Sequence, residues 1–151
     1  MEAAFPNVAS SERTRDLVTG FMLTSYSFAR LDEVVRIQGY ADTVVIRIVN
    51  EPQMRGSGVW DFALWSFGRF ISDSVRDNDL VCRFGEAEFF VVLSEASPAG
   101  WIVRFCDRLA RTRLAESQDF MLQVELGAVR ARHRGDVLRA RLLNSRIIEA
   151  R

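Results

Sequence analysis

Residues 76–89 read RDNDLVCRFGEAEF, and this stretch decides the fold. It holds two short apolar runs with only Gly85, Glu86 and Ala87 between them. So short a gap between two strand-like runs predicts a β-hairpin. The four polar residues that open the stretch predict a turn leading into the first strand.

The segments on both sides of this hairpin complete a regular pattern. Residues 43–50 are rich in β-branched side chains and predict a strand, whereas apolar residues recur at helical spacing over 60–76. A Ser-Pro pair at 97–98 predicts the start of another helix, and alternation over 122–128 predicts a half-exposed strand. The order β-α-β-β-α-β is the ferredoxin-like split pattern of an α+β fold, an antiparallel sheet with helices on one face.

An additional helix is predicted at each end of this unit. The first covers residues 24–38, and the second covers about 136–149. A chain of 151 residues has the usual size of one domain. We therefore predict a single domain over 1–151 with its core at about 14–130.

Composition narrows the classes of function. Twenty basic and twenty acidic residues give a formal net charge of zero, so we expect no nucleic-acid partner. The apolar runs are far shorter than the roughly 20 residues that cross a bilayer, so we expect no membrane insertion. Cys82 and Cys106 lie in apolar runs and predict buried free thiols, which favours a cytoplasmic location.

The hairpin stretch resembles the GGDEF family of diguanylate cyclase domains, in which R-x-x-D precedes R-x-G-G-D-E-F. Arg76 and Asp79 match the first motif. The second motif is matched at Arg83, Gly85, Glu88 and Phe89. Further anchors are DLVTG at 16–20, Asp61 with Leu64 in the first helix of the split pattern, and Gly127 in VELGAV.

The same resemblance implies that catalysis has been lost. The family joins two GTP molecules with divalent cations, which need carboxylate ligands. The third hairpin position supplies such a ligand in the family, but here it is Ala87, and the second glycine is replaced by Glu86. The family's phosphate-binding lysine has no counterpart, because all twenty basic residues are arginine. We therefore expect no Mg²⁺, no cofactor and no cyclase activity, with degenerate active-site positions at Gly85, Glu86, Ala87, Glu88, Phe89 and Asp61.

A second site of the family is retained. The resemblance implies that R-x-x-D, here Arg76 and Asp79, is a product-inhibition site that binds cyclic di-GMP in active and inactive members. An arginine fork suits phosphate oxygens and the guanine edge, and an aspartate suits guanine N–H groups. Arg104 and Arg108 on the helix after the hairpin are candidates for a second clamp. The structural alternative is that Arg76 and Asp79 form only a solvated salt bridge.

Two functions therefore stay open. The first is a catalytically inactive receptor for cyclic di-GMP, a bacterial second messenger that regulates biofilms, acting through self-association or a protein partner in a signalling or secretion pathway. The alternative is a protein-interaction or dimerisation scaffold that binds no nucleotide, with Trp65 and Phe62 as exposed aromatics of an interface.

Two further residues have open roles. Asp61 matches a guanine-contacting aspartate of the family, but its simpler role is to cap the helix that starts at residue 60. Arg47 lies in the middle of the first strand. It either pairs with Glu88 or Glu51 near the family's metal position, or faces outward from a half-exposed sheet.

Overall fold

A five-stranded antiparallel sheet is the centre of the fold. The protein is represented by a computed structural model that describes residues 15–22, 24–115, 119–143 and 145–151. The strands are β1 (Ala41–Ile48), β2 (Leu80–Gly85), β3 (Glu88–Val92), β4 (Leu122–Ala131) and β5 (Ser145–Ala150). Their order across the sheet is β2-β3-β1-β4-β5, which contains the predicted split pattern.

The described residues form five helices. They are α1 (Thr24–Gln38), α2 (Glu51–Arg55), α3 (Trp60–Ser72), α4 (Pro98–Arg111) and α5 (Arg134–Leu143). Helix α4 begins as the sequence predicts, because Ser97 Oγ accepts a hydrogen bond from the Gly100 N–H at 3.2 Å. Over the described residues no helix is both long and apolar enough to cross a membrane.

The β2–β3 hairpin forms as predicted, with Glu86 and Ala87 as its turn. The register shifts between Arg83 and Gly85, so the strand carries an irregularity next to the turn. Helix α1 has the predicted bounds, whereas α3 ends at Ser72 and not at residue 76. Short-range patterns therefore located the elements of the split pattern.

Alternate residues of β1 face two separate cores. Val44 and Ile46 pack beneath α3 and α4, whereas Ala41 and Val45 pack beneath α1 and α5. The two helices of the split pattern, α3 and α4, therefore lie on one face as predicted, and the additional helix α1 lies with α5 on the other face. Residues 43–46 are nearly inaccessible to solvent on both sides, and a strand buried on both faces needs a helical layer on each.

The end of the chain also differs from the prediction. A single helix was expected over about 136–149, but α5 ends at Leu143 and β5 follows it. Ile148 of β5 lies opposite Val124 of β4. The β-branched pair at 147–148 favours a strand, and pairing with the open edge of β4 satisfies backbone groups that a longer helix would leave at that edge.

The N-terminal segment 15–22 lies along the other edge of the sheet. Met22 forms a bridge with Cys82, and the Arg83 N–H donates to the Met22 carbonyl at 2.8 Å. Cys82 and Cys106 are buried and form no disulfide, as predicted.

Candidate functional site

Arg83 holds the turn of the β2–β3 hairpin from the inside. Its Nε donates to the Gly85 carbonyl at 3.2 Å, and one terminal nitrogen donates to the Glu86 carbonyl. The other terminal nitrogen pairs with Asp16 of the N-terminal segment. The Arg83 side chain is only 9% exposed. This arginine therefore fixes the turn and fastens segment 15–22 to it.

Asp16 is held by more than this ion pair. Its Oδ2 accepts hydrogen bonds from the Thr19 N–H at 2.6 Å and from the Thr19 hydroxyl at 2.7 Å. Burial alone would raise the pKa of Asp16, but the Thr19 hydrogen bonds and the Arg83 charge outweigh it. They hold the pKa of this carboxyl below its usual value.

Ala87 closes the core side of the hairpin turn. It is 5% exposed and belongs to the α3/α4 core, and its carbonyl accepts from the Ile48 N–H at 2.9 Å. The Glu86 side chain beside it is 56% exposed. The turn therefore offers a methyl group inside and a carboxylate outside. Phe89, two residues on, is fully buried against Phe21 and Phe67.

An open cavity of about 390 Å³ lies beside this turn, at the end of β1. Its lining residues are Arg47, Ile48, Val49, Glu51, Pro52, Glu86, Ala87 and Glu88. The Glu88 side chain folds over Gly85, where a Cβ would come within 2.5 Å of Glu88 Oε1. Across the part of the chain that is described, no three His, Cys, Asp or Glu residues lie together as a metal ion would need.

Arg47 forms its ion pair with an acid that the sequence analysis missed. Its Nε and a terminal nitrogen lie 3.2 and 3.0 Å from Glu125 Oε1. The two residues are direct cross-strand neighbours on β1 and β4. Glu51, one of the predicted partners, pairs with Arg55 one helical turn away. Strand register places two acids opposite Arg47, the predicted Glu88 on β3 and Glu125 on β4.

Asp61 does not cap α3 by a side-chain hydrogen bond, so that prediction is wrong. Val59 occupies the N-cap position, and no side-chain hydrogen bond is made there. Asp61 lies exposed in the first turn of the helix. Its charge is favourable there, because the N-terminal end of a helix carries partial positive charge.

The R-x-x-D residues form a tight turn after α3, but not by pairing their side chains. Asp79 Oδ2 accepts from the backbone N–H of Arg76 at 2.8 Å. Asp79 Oδ1 accepts from the Ser94 N–H at 2.9 Å and the Ser94 hydroxyl at 3.0 Å. The Arg76 guanidinium extends outward and pairs with Glu95 at 2.9 Å, both side chains being well exposed. The structural alternative of an Arg76–Asp79 salt bridge is therefore wrong.

The predicted arginines of α4 lie next to this turn. A terminal nitrogen of Arg108 donates to Ser74 Oγ at 2.8 Å, and its guanidinium lies 4.8 Å above the Phe70 ring. Trp101 Nε1 donates to the Ser74 carbonyl at 3.0 Å. Arg104 and Arg108 border a shallow pocket of about 110 Å³ that Ser74, Trp101 and Phe105 complete.

We call this set the arginine surface; its members are Ser74, Arg76, Asp79, Trp101, Arg104 and Arg108. The sequence analysis named four of the six and missed Ser74 and Trp101. The position of Ser74, two residues before Arg76, was an available signal. Trp101 had none, because its role depends on how α4 packs against the end of α3.

Comparison with known proteins gives a consistent result. The profile of the family described as "Diguanylate cyclase, GGDEF domain" matches residues 52–144, more than half of the chain. No curated protein matches the sequence. Solved structures similar to the chain carry the same fold.

Three of these structures illustrate the likeness. The GGDEF domain of YfiN from Pseudomonas aeruginosa superposes with a TM-score of 0.71 at 19% identity, over 86% of this chain and 87% of that one. The GGDEF domain of DgcB from Caulobacter crescentus, solved in complex with c-di-GMP, gives 0.68 at 16% identity, over 85% of each chain. The diguanylate cyclase SiaD from Pseudomonas aeruginosa, solved with its activator SiaC, gives 0.68 at 20% identity, over 92% of this chain and 62% of SiaD.

Proposed function

The chain belongs to the diguanylate cyclase GGDEF domain family, and from this premise we propose that it is a non-catalytic signalling domain that binds cyclic di-GMP on the arginine surface. The observation that carries the proposal is the hydrogen bond from Arg108 to Ser74 Oγ. This contact joins α4 to the segment that leads into the R-x-x-D turn. It therefore places Arg108 beside the segment that carries Arg76, and Arg104 borders the same pocket as Arg108.

The lack of cyclase activity is supported by the residues at the hairpin. Joining two GTP molecules needs Mg²⁺ held by oxygen ligands near the triphosphate. Ala87 supplies no side-chain oxygen and is packed into the core. The exposed Glu86 carboxylate, which lies 3.6 Å from Arg83, would repel a triphosphate that approached the turn. The residues present therefore do not fit the metal, and no catalytic step is assigned to them.

The charge of the arginine surface suits a cyclic dinucleotide with two phosphodiester groups. The Arg76 side chain is 69% exposed, and its partner Glu95 is 64% exposed. Such an exposed pair contributes at most about 1 kcal/mol, so a phosphate oxygen can replace the carboxylate. Arg108 is already oriented by Ser74 and by the Phe70 ring, which lowers the entropic cost of binding.

Asp79 holds the turn that carries Arg76 and can also accept a hydrogen bond from the ligand. Three hydrogen bonds to its carboxylate fix the turn that carries Arg76. A carboxylate has about four acceptor sites, so one stays available for a guanine N–H. The DgcB domain, which shares this fold, was solved with c-di-GMP bound, and this makes the same ligand the first to test here.

Titration calorimetry with cyclic di-GMP tests the receptor. We expect binding in roughly the micromolar range for the wild type and a loss of at least about tenfold in Arg76→Ala and in Arg108→Ala. Arg30→Ala is the matched control, because Arg30 is also an exposed, ion-paired arginine but lies on α1, against the opposite face of the sheet. No heat with the wild type, or equal losses in all three variants, contradicts the proposal.

Incubation with GTP and Mg²⁺ tests the absence of catalysis. We expect no cyclic di-GMP by liquid chromatography while an active diguanylate cyclase, run in parallel, converts the same GTP. The variant Ala87→Asp should remain inactive, because a carboxylate at this one position does not remove the charge of Glu86. Product from the wild type contradicts this part of the proposal.

The second candidate function is a protein-interaction module, and Trp65 favours it. This indole is 43% exposed and stacks on Phe62, whose ring contacts Phe120. SiaD, a structural relative, was solved with its protein activator SiaC. A protein partner is therefore part of the proposal. The proposal also includes a cytoplasmic location. Light scattering of the purified chain, with and without cyclic di-GMP, tests self-association.

A further inference from the structure

A groove runs along α3 on the side of Trp65, separate from the arginine surface. It has a volume of about 300 Å³ and lies between α3 and the segment that follows α4. We call it the Trp65 groove; its lining residues are Trp65, Ser66, Arg69, Phe70, Asp73, Thr112, Arg113 and Leu114. Of these residues, only Phe70 also contacts the arginine surface, because the Arg108 guanidinium lies over its ring.

Arg69 is a cation without an acidic partner in the described part of the chain. Its guanidinium lies 5.2 Å from the centroid of the Trp65 ring. Asp73, one helical turn further on, has the spacing that often gives an ion pair, but no such pair forms. The groove thus presents one unneutralised positive group and one unneutralised negative group, four residues apart.

Arg113, on the opposite wall, adds a second cation that is only weakly engaged. It pairs with Asp119 at 2.7 Å, but the Asp119 side chain is 96% exposed. Exposed pairs of this kind contribute little, so a competing carboxylate can displace Asp119. With Asp73 and Asp119 both counted the charges balance, and displacement of Asp119 by a carboxylate of a ligand would leave two arginines of the groove facing that ligand.

Ser66 supplies an independent indication that the groove is incomplete. The residue is 5% exposed, and its hydroxyl has no hydrogen-bond partner. A buried polar group without a partner costs about 1–3 kcal/mol. A ligand atom in the groove that reached this hydroxyl would recover that cost.

Trp65 is exposed, but its indole contacts an aromatic ring and a guanidinium. Phe62 stacks on one side of the indole at 5.9 Å, Arg69 lies over it, and Phe120 packs edge-on against Phe62. Exposed Trp and Arg in a fixed arrangement are the side chains that dominate binding energy at protein interfaces. Phe62 and Arg69 both contact the indole, so part of its ring is already covered.

We propose that the Trp65 groove is a docking site for an acidic, apolar segment of a partner protein. A carboxylate of the segment pairs with Arg69, and a backbone N–H of the segment donates to Asp73. An apolar side chain packs between Phe70 and Leu114. The proposal rests on the protein-interaction candidate, for which it names the site and the partner chemistry, and it does not depend on the receptor function.

The Trp65 indole N–H is a reporter placed at the groove. Trp60 and Trp101 are 7% and 5% exposed, whereas Trp65 is 43% exposed. In the spectrum of a ¹⁵N-labelled sample, the indole signal that is missing from Trp65→Phe is assigned to Trp65. The probes are three pools of short, end-blocked peptides with the same apolar residues. In the first pool the remaining positions are Asp and Glu, in the second Asn and Gln, and in the third Lys and Arg.

We expect the acidic pool to shift the Trp65 signal in a saturable way, and the other two pools to leave it unchanged. Arg69→Gln should weaken this binding at least about tenfold, whereas Arg69→Lys should keep most of it. Arg111→Gln is the matched control, because Arg111 is an exposed arginine that pairs with Asp107 outside the groove.

Several results would overturn the proposal. They are a shift with the neutral or basic pool equal to that with the acidic pool, an acidic pool without effect at millimolar total concentration, or equal affinity in Arg69→Gln. A dimer that light scattering detects in the wild type and not in Trp65→Ala would assign the groove to a second copy of the chain. Failure of the receptor function leaves these results unchanged, because Arg76 and Arg108 are not part of the groove.

Discussion

The Arg83 guanidinium and the Asp16 carboxylate form an ion pair that is almost closed to solvent, with 9% and 11% of the two side chains exposed. The two residues are 67 positions apart in the chain. Their contact joins the N-terminal turn to the hairpin whose tip carries Glu86 and Ala87. A displacement of segment 15–22 would therefore act on the hairpin directly, through this ion pair.

Replacing Asp16 by Asn should destabilise the domain by roughly 3 kcal/mol. The substitution keeps the shape of the side chain but leaves the buried charge of Arg83 without its counter-charge. Urea unfolding at neutral pH measures the loss. The matched control is Asp42→Asn, which removes the partner of Arg130 from a more exposed pair and should cost less than about 1 kcal/mol. Equal losses in the two variants contradict the argument.

The stabilisation from Asp16 should depend on pH. Because the folded state holds the pKa of Asp16 below its usual value, the contribution is complete above the pKa of the unfolded chain, about 3.9. It is lost as the pH falls from that value through the lower pKa of the folded state. The difference in unfolding free energy between the wild type and Asp16→Asn should therefore shrink below about pH 4. A constant difference down to pH 2 would mean that the pKa of Asp16 is not lowered.

Substitutions of the two R-x-x-D residues should differ in their effect on stability. Asp79→Ala removes the acceptor of three hydrogen bonds and should lower the unfolding free energy by about 1–2 kcal/mol. Arg76→Ala removes only an exposed pair with Glu95 and should change the stability by less than about 0.5 kcal/mol. Both should weaken cyclic di-GMP binding. Thermal unfolding and calorimetry on the same samples measure the two effects, and a destabilised Arg76→Ala would show that Arg76 is structural.

Removing the charge of Glu95, which competes with the ligand phosphate for Arg76, should strengthen the binding of cyclic di-GMP. Glu95 is the acid that pairs with Arg76 in the absence of ligand. In Glu95→Gln the guanidinium has no carboxylate to release, so we expect the affinity for cyclic di-GMP to rise about threefold at low ionic strength. The gain should disappear near 1 M salt, where exposed charges are screened. Glu33→Gln, next to Arg30 on α1, is the control and should leave the affinity unchanged.

Local sequence signals were sufficient for most of the fold. The β-branched residues 43–50 and the three-residue gap at 85–87 predict a strand and a hairpin because their information lies within a few neighbours. The C-terminal strand β5 was missed for the opposite reason. Strand β5 forms because it pairs with the edge of β4, where Ile148 lies opposite Val124. This pairing depends on the tertiary structure, which a local sequence pattern does not contain.

The candidate site shows the same contrast between local sequence signals and long-range packing. Motif spacing named Arg76 and Asp79, since the family frame fixes their positions along the chain, whereas Arg104 and Arg108 were named only as arginines on the helix after the hairpin. It could not predict that Asp79 binds backbone and Ser94, or that Arg108 binds Ser74, because these contacts depend on how the end of α3 meets α4 and the loop after β3. Pairing partners across 15 or more residues are a property of packing.

Cys82 offers a direct test of how firmly the N-terminal segment covers the sheet edge. Burial raises the pKa of its thiol to about 12, against smaller lowering effects from Ser27, Arg30 and Arg15. The residue is fully inaccessible and is bridged to Met22. In Cys106→Ala, where Cys82 is the only thiol, native protein at pH 8 should react with a disulfide reagent at least about a thousandfold more slowly than urea-unfolded protein.

The same variant connects this reactivity to the Asp16–Arg83 pair. Adding Asp16→Asn should let segment 15–22 open more often and expose Cys82, so labelling should accelerate while the sheet remains folded by circular dichroism. Asp42→Asn in the same background is the control and should label at the original rate. If Asp16→Asn leaves the rate unchanged, the segment does not open locally, and Cys82 is reached only when the whole domain unfolds.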